Sequence, residues 1–143
     1  MQMKRILVGV DGSKESRHAV SFAADLCRVQ GARLTLASVV NLPEALGAPE
    51  LIAQVLRWQE EEAARSQAVL DSIAAELSFP GLIVETRVLK GSPAEALAEL
   101  AGSEGHDLVV VGHRGRGAIA RALLGSVADR LVQICSKPVT VVR

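Results

Sequence analysis

Short apolar runs recur along the chain, and they predict five β-strands. Four of the runs are rich in β-branched residues, and the fifth alternates apolar with polar positions, as half-buried strands do. The predicted strands cover 6–10, 34–40, 82–89, 107–111 and 139–142.

Between these strands, apolar residues recur at helical spacing. Ser13 is a candidate N-cap for a helix that ends at Gly31, and a long amphipathic helix covers about 51–77. Ser92-Pro93-Ala94-Glu95 has the spacing of a capping box and predicts a third helix, and the last helix covers about 126–135. Alternating strands and helices predict an α/β fold: a single domain over 1–143, with a doubly wound, five-stranded parallel sheet and helices on both faces.

Composition narrows the class of protein. Apolar residues make up 49% of the 143, and Lys+Arg and Asp+Glu both number 16. This balance predicts no general attraction to nucleic acid, and aromatic residues that could stack on bases are only 2%. No apolar run approaches the ~20 residues that a membrane span needs. Cys27 and Cys135 lie on apolar helical stripes and are expected to be buried free thiols, which favours a cytoplasmic location.

Glycines follow the fourth predicted strand at a spacing typical of anion sites. Gly112-His113-Arg114-Gly115 directly follows Val109-Val110-Val111. Nine further residues then lead to Gly125-Ser126, at the start of the last helix. Glycine lets backbone N–H groups approach a phosphate, and a helix N-terminus adds donors and partial positive charge. Ser126 can cap that helix or donate to a phosphate oxygen. Neither a Walker A loop nor a complete Gly-x-Gly-x-x-Gly motif is present.

A second cluster follows the first strand, at Val10-Asp11-Gly12-Ser13. Doubly wound sheets bind ligands outside the carboxyl ends of their strands, where the strand order reverses. Alone, Asp11 would be an ordinary helix-start acid. Opposite the glycine loop, it becomes a candidate for ribose hydroxyls or for Mg²⁺ that bridges phosphates. His18 and His106 are expected at the surface or at an edge.

These motifs resemble those of the universal stress protein family, over the whole chain. The resemblance lies in Ile6-Leu7-Val8-Gly9-Val10-Asp11-Gly12-Ser13, in the stretch from Val111-Gly112-His113-Arg114-Gly115 to Leu124-Gly125-Ser126-Val127, and in Lys137-Pro138-Val139-Thr140-Val141-Val142. The complete glycine and serine pattern is similar to that of the branch that binds ATP.

The resemblance implies the strand order 3-2-1-4-5, with ATP or another adenine nucleotide between strands one and four. Asp11 would then reach the ribose or Mg²⁺, and the main chain of Val39 would meet adenine. The implied phosphate contacts are Gly112, Gly115, Gly125, Ser126 and Val127. His113, Arg114 and Arg116 are either solvated loop charges or neutralise a polyphosphate.

The resemblance also implies a homodimer through the final strand, 139–142, which would otherwise be an apolar edge. The favoured function is a nucleotide-binding stress sensor or regulator without a catalytic residue. A slow Mg²⁺-dependent ATP hydrolase and a structural dimer that binds no nucleotide remain alternatives.

Overall fold

All five predicted strands form and make one parallel sheet. The strands are β1 (Arg5–Gly9), β2 (Arg33–Val40), β3 (Val84–Lys90), β4 (Leu108–Gly112) and β5 (Val139–Val142). Their order is β3-β2-β1-β4-β5, as the resemblance implied. The structure is a computed structural model, and it describes residues 2–41, 49–114 and 124–143.

Four helices cover the two faces of the sheet. They are α1 (Lys14–Gln30), α2 (Pro49–Glu76), α3 (Pro93–Ser103) and α4 (Ser126–Ile134). Helices α1 and α2 pack on the face that carries Ile6, Val8 and Val110, and α3 and α4 pack on the face that carries Leu7 and Val109. Both faces are apolar because each strand of the centre is buried on both sides. No helix in the described parts of the chain is long and apolar enough to cross a bilayer.

The ends of the helices partly correct the predicted caps. Ser13 caps α1 and Gly31 ends it in the left-handed conformation, as predicted. Ser92 occupies the N-cap position of α3 but makes no side-chain capping bond, and Glu95 instead accepts a hydrogen bond from Arg130 of α4 at 2.9 Å. The predicted capping box is therefore wrong, because the side chain that should complete it is held by another helix.

Cys27 is buried, as expected, and desolvation raises the pKa of its thiol to about 11. Cys135 is only partly buried at the end of α4.

His18 is exposed, as expected, but the prediction for His106 is wrong, since its side chain is fully buried. Sequence could not show this burial, because His106 lies just before β4 and becomes covered only when α3 packs against the sheet.

The buried imidazole of His106 lies among charged groups at the amino ends of the central strands. Its Nε2 is 3.1 Å from the hydroxyl of Thr35. Desolvation, and then the positive charge of Arg5, lower the pKa of His106. The main chain of Leu100, and then the carboxylates of Glu104 and Glu85, oppose this shift. Arg5 itself lies 3.5 Å from Glu85 and 3.7 Å from Glu104. His106 is therefore neutral in the folded protein at neutral pH.

We expect the burial of His106 to make stability fall with pH below about 6.5. Its pKa is lower in the folded than in the unfolded state, so the unfolded state binds the proton first as pH falls. Each pH unit between the two pKa values costs about 1.4 kcal/mol of unfolding free energy. Urea unfolding between pH 7.5 and 5 would measure this slope, which His106→Gln should flatten. The exposed His18→Gln is the control, and an equal slope in His106→Gln would contradict the assignment.

Gly112, the last residue of β4, lies against the first turn of α1. A Cβ atom built on Gly112 would lie 2.7 Å from the carbonyl carbon of Glu15 and 2.9 Å from its oxygen. These are main-chain atoms of a helix and cannot move aside as the end of a flexible side chain can. Gly112 therefore permits the close packing of α1 on β4, whatever else it contacts.

We expect Gly112→Ala to destabilise the fold by about 1–3 kcal/mol, because the methyl group overpacks this contact. Gly102→Ala is the matched control. Gly102 lies in α3, where an added Cβ would meet only the Ser136 hydroxyl oxygen, at 3.8 Å. That change should stabilise the protein by about 0.5–1 kcal/mol through helix propensity. Chemical denaturation measures both, and equal effects of the two substitutions would refute the packing explanation.

Candidate functional site

The pairing of β1 with β4 brings the two predicted clusters together. The two strands are neighbours in the sheet, with Leu7 opposite Val109 and Val8 opposite Val110. After β1 the chain enters α1 on one face, and after β4 it reaches α4 on the other. The strand order reverses here, and a reversal of this kind is where doubly wound sheets carry a crevice between the two diverging connections. Both clusters therefore lie at the same edge of the sheet, beside this crevice.

The loop after β1 is held by a network of short hydrogen bonds. The Ser13 side chain accepts from the Ser16 N–H at 3.1 Å, and the Asp11 carboxylate accepts from the Ser13 N–H at 2.9 Å. Gly12 between them has a φ of +82°, which side-chain-bearing residues rarely adopt. Asp11 remains exposed in this turn. The cluster that the sequence singled out is thus a single tight turn that presents a carboxylate.

Val10 precedes this turn and ties it to β2. It is buried, and its N–H donates to the carbonyl of Ala37 at 2.8 Å. Val39 follows two residues later on β2 and is partly buried among the side chains under α3 and α4. In the register of β2 with β3, Val39 lies opposite Leu89. Val39 therefore lies one strand away from the Asp11 turn, near the same edge.

His113 joins the end of β4 to two other elements through its main chain. Its N–H donates to the Val142 carbonyl at 2.6 Å, and its carbonyl accepts from the Gly125 N–H at 2.8 Å. The second bond joins the residue that follows β4 to the N-cap residue of α4. The start of α4 is consequently held next to the end of β4, in spite of the eleven residues that separate His113 from Gly125.

The N-terminus of α4 differs from the prediction in one respect. Gly125, and not Ser126, is the N-cap residue, and its carbonyl accepts the N–H of Asp129 at 2.9 Å. Ser126 is the first helical residue and is exposed, while Val127 is partly buried. Because Gly125 occupies the N-cap position, the hydroxyl of Ser126 is not needed as a cap. The first N–H groups of a helix point along its axis without partners inside the helix, so this end is suited to an anion.

The remaining predicted residues are less fully described. Arg114 is partly buried. Gly115 and Arg116 lie outside the described residues. In the described ranges, no three His, Cys, Asp or Glu side chains are grouped so that they could hold a metal ion. A Mg²⁺ ion at Asp11 would therefore need phosphate oxygens and water as its further ligands, which is how proteins often bind this ion.

Sequence reasoning missed two buried hydroxyl groups near the Asp11 turn. Ser16 is 3% exposed and Ser38 is 9% exposed. The Ser38 hydroxyl donates to the Val10 carbonyl at 2.7 Å, and the Ser16 hydroxyl donates to the Ser13 carbonyl at 3.0 Å. The available signal was a serine on the apolar stripe of α1 and another inside the apolar run of β2.

Comparisons with known proteins agree with this architecture. A universal stress protein from Mycolicibacterium smegmatis is 39% identical over 141 residues, which cover 96% of this chain but 47% of that protein. The chain thus spans about half the length of this relative. UspA from Lactobacillus plantarum superposes with a TM-score of 0.92 at 24% identity, over 100% of this chain and 99% of that chain.

A universal stress protein solved in complex with cAMP has a TM-score of 0.76 and 30% identity, over 100% of this chain and 99% of that chain. The model of the universal stress protein family matches residues 3–143. On the strength of that match over nearly its whole length, the chain belongs to the universal stress protein family.

Proposed function

We propose that this protein binds an adenine nucleotide, ATP with Mg²⁺, and acts as a regulator in the stress response. The observation that carries the proposal is the placement of the Asp11 turn and the N-terminus of α4 at the same edge of the sheet, after the neighbouring strands β1 and β4. One side offers a carboxylate and the other offers main-chain donors. This pairing suits a ligand that has both hydroxyl groups and phosphates.

Each part of the nucleotide has a candidate partner. The exposed Asp11 carboxylate would accept from ribose hydroxyls or share Mg²⁺ with the phosphates, and the main chain near Val39 would meet the adenine edge. The N–H groups at Ser126 and Val127 would bind distal phosphates, with the glycines at 115 and 125 allowing close approach. Gly112 would contribute through its main chain, since its Cβ position lies against α1. His113, Arg114 and Arg116 would supply positive charge or donors. The relative bound to cAMP supports an adenine nucleotide as the ligand class.

A regulator fits the site better than an enzyme does. The Asp11 carboxylate already accepts the Ser13 N–H, which makes it a holding group more than a base ready to activate water. We therefore expect nucleotide occupancy, and not turnover, to be the signal. The buried free thiol of Cys27 suits a reducing compartment such as the cytoplasm.

Ser126→Asp tests the phosphate end of the site. The new carboxylate would lie at the N-terminus of α4, where the helix dipole favours negative charge, so the fold should remain intact. The same charge should repel the phosphates of ATP and weaken binding by about tenfold or more. Titration calorimetry with ATP and Mg²⁺ measures the affinity, and thermal unfolding without nucleotide checks the fold.

Ser126→Asn is the matched control, since it has nearly the same shape as the Asp variant without the charge. It should bind ATP within a few-fold of the unchanged protein. Equal affinity of the Asp and Asn variants would contradict the assignment of α4, and no binding by the unchanged protein would favour a structural dimer. ATP turnover within ~1–10³ s⁻¹, the range of ordinary enzymes, would favour the hydrolase alternative.

We further propose that two copies of the chain pair through β5, the last strand in the sheet order. The carbonyl of Pro138 accepts the N–H of Val109 in β4, and the carbonyl of Val142 accepts the N–H of His113 just after β4. Because successive residues of a strand point their main-chain groups to opposite sides, Val139 and Val141 direct theirs to the outer edge. An apolar edge strand with outward-pointing N–H groups can pair with a second strand, and a twofold axis would join β5 to its copy.

Val141→Pro should remove one donor from that outer edge without disturbing the pairing of β5 with β4. We expect the unchanged protein to sediment at twice the chain mass and the variant to sediment as a monomer. Thr140→Pro is the control, because Thr140 points its N–H towards β4 and its loss should destabilise the sheet itself. A dimer that survives Val141→Pro would place the interface elsewhere, with the exposed Trp58 of α2 as the next candidate. A monomeric unchanged protein would refute the dimer.

A further inference from the structure

The main chain from Val10 to Ser13 lies beyond the end of β1, and hydrogen bonds hold it at both of its ends. The ladder between β1 and β2 ends at the pair Gly9 and Ala37. Beyond that pair, the Val10 N–H still donates to the Ala37 carbonyl at 2.8 Å. The Val10 carbonyl then accepts the hydroxyl of Ser38 at 2.7 Å. A side chain thus extends the attachment of β1 to β2 by one further bond.

Ser16 holds the other end of the same segment. Its hydroxyl donates to the Ser13 carbonyl at 3.0 Å, and its oxygen lies 3.5 Å from the Asp11 N–H. The second contact is at the outer limit of a hydrogen bond. The Ser16 N–H in turn donates to the Ser13 side chain at 3.1 Å. Ser16 therefore contacts the main chain on both sides of Gly12, where the turn reverses.

Both hydroxyls are more than nine-tenths buried. They lie behind the turn, and Asp11 lies exposed in front of it. Removing a buried hydroxyl costs more free energy than removing an exposed one, because no water can replace it as the partner of the main-chain carbonyl. The two serines are thus suited to fix the turn without contacting what binds in front of it.

We propose that Ser16 and Ser38 are positioning residues that set the Asp11 turn for the nucleotide before it binds. This inference rests on the proposed function. A turn that is already ordered loses less conformational entropy when a ligand binds, so removal of either hydroxyl should appear as weaker affinity. The loss of affinity would act through the position of Asp11. It can therefore be distinguished from a general loss of stability.

Ser16→Ala is the first test. We expect it to weaken ATP·Mg²⁺ binding about five- to tenfold in titration calorimetry, the range of one buried hydrogen bond. Ser16→Thr keeps the hydroxyl and should restore most of the affinity. Ser21→Ala is the matched control, because Ser21 lies exposed on the same helix and should leave affinity unchanged.

A double-mutant cycle with Asp11→Ala distinguishes positioning from a structural role. If Ser16 acts through Asp11, Ser16→Ala should have little further effect on affinity once the Asp11 carboxylate is gone. Two effects that simply add would overturn the inference. Ser38→Ala gives an independent second cycle, in which the same non-additivity is expected.

Amide hydrogen exchange of the protein without nucleotide tests the turn directly. The Ser13 N–H, which donates to Asp11, should exchange several-fold faster in Ser16→Ala and stay unchanged in Ser21→Ala. Equal exchange in all three proteins would overturn the inference even if ATP binds. Absence of ATP binding by the unchanged protein would overturn the proposed function, and the inference with it.

Discussion

The parallel pairing of β1 with β4 is the constraint on which the rest of the molecule depends. Leu7 and Val109 are opposite each other at the centre of the sheet, and both are fully buried. Their strands belong to different halves of the chain, and the connections that leave them go to opposite faces. In doubly wound sheets, such a reversal is the place for a crevice at the carboxyl edge, because helices that diverge from adjacent strands leave space between them.

The segments that flank this strand reversal are fixed in part by main-chain contacts. Gly112 lets the first turn of α1 approach β4 more closely than any other residue would permit. His113 bridges β5 and the start of α4 through its N–H and carbonyl. Contacts of this kind tolerate little movement, since main-chain atoms cannot change rotamer. They suit the proposed site, which would contact its ligand mainly through N–H groups and a single carboxylate.

Much of the fold could be predicted because each element carries its own local signal. The strands are short apolar runs, and Ser13 and Gly31 mark both ends of α1 as expected. The errors occur where a distant element competes for a side chain. Glu95 has the spacing of a capping box but is held by Arg130, and His106 has the sequence context of an edge residue but is enclosed. Neither partner is near in sequence, so no local pattern could show it.

The sequence by itself determined the order of strands and helices, the two clusters around Asp11 and Gly112, and their place at strand ends. It could do so because hydrophobic periodicity, glycines and capping residues influence the backbone only within a few residues along the chain. Only the tertiary structure decided that Ser16 and Ser38 hold the Asp11 turn, and that Gly112 is required by the packing of α1. Those facts depend on contacts between elements, and such contacts exist only once the sheet has brought the elements together.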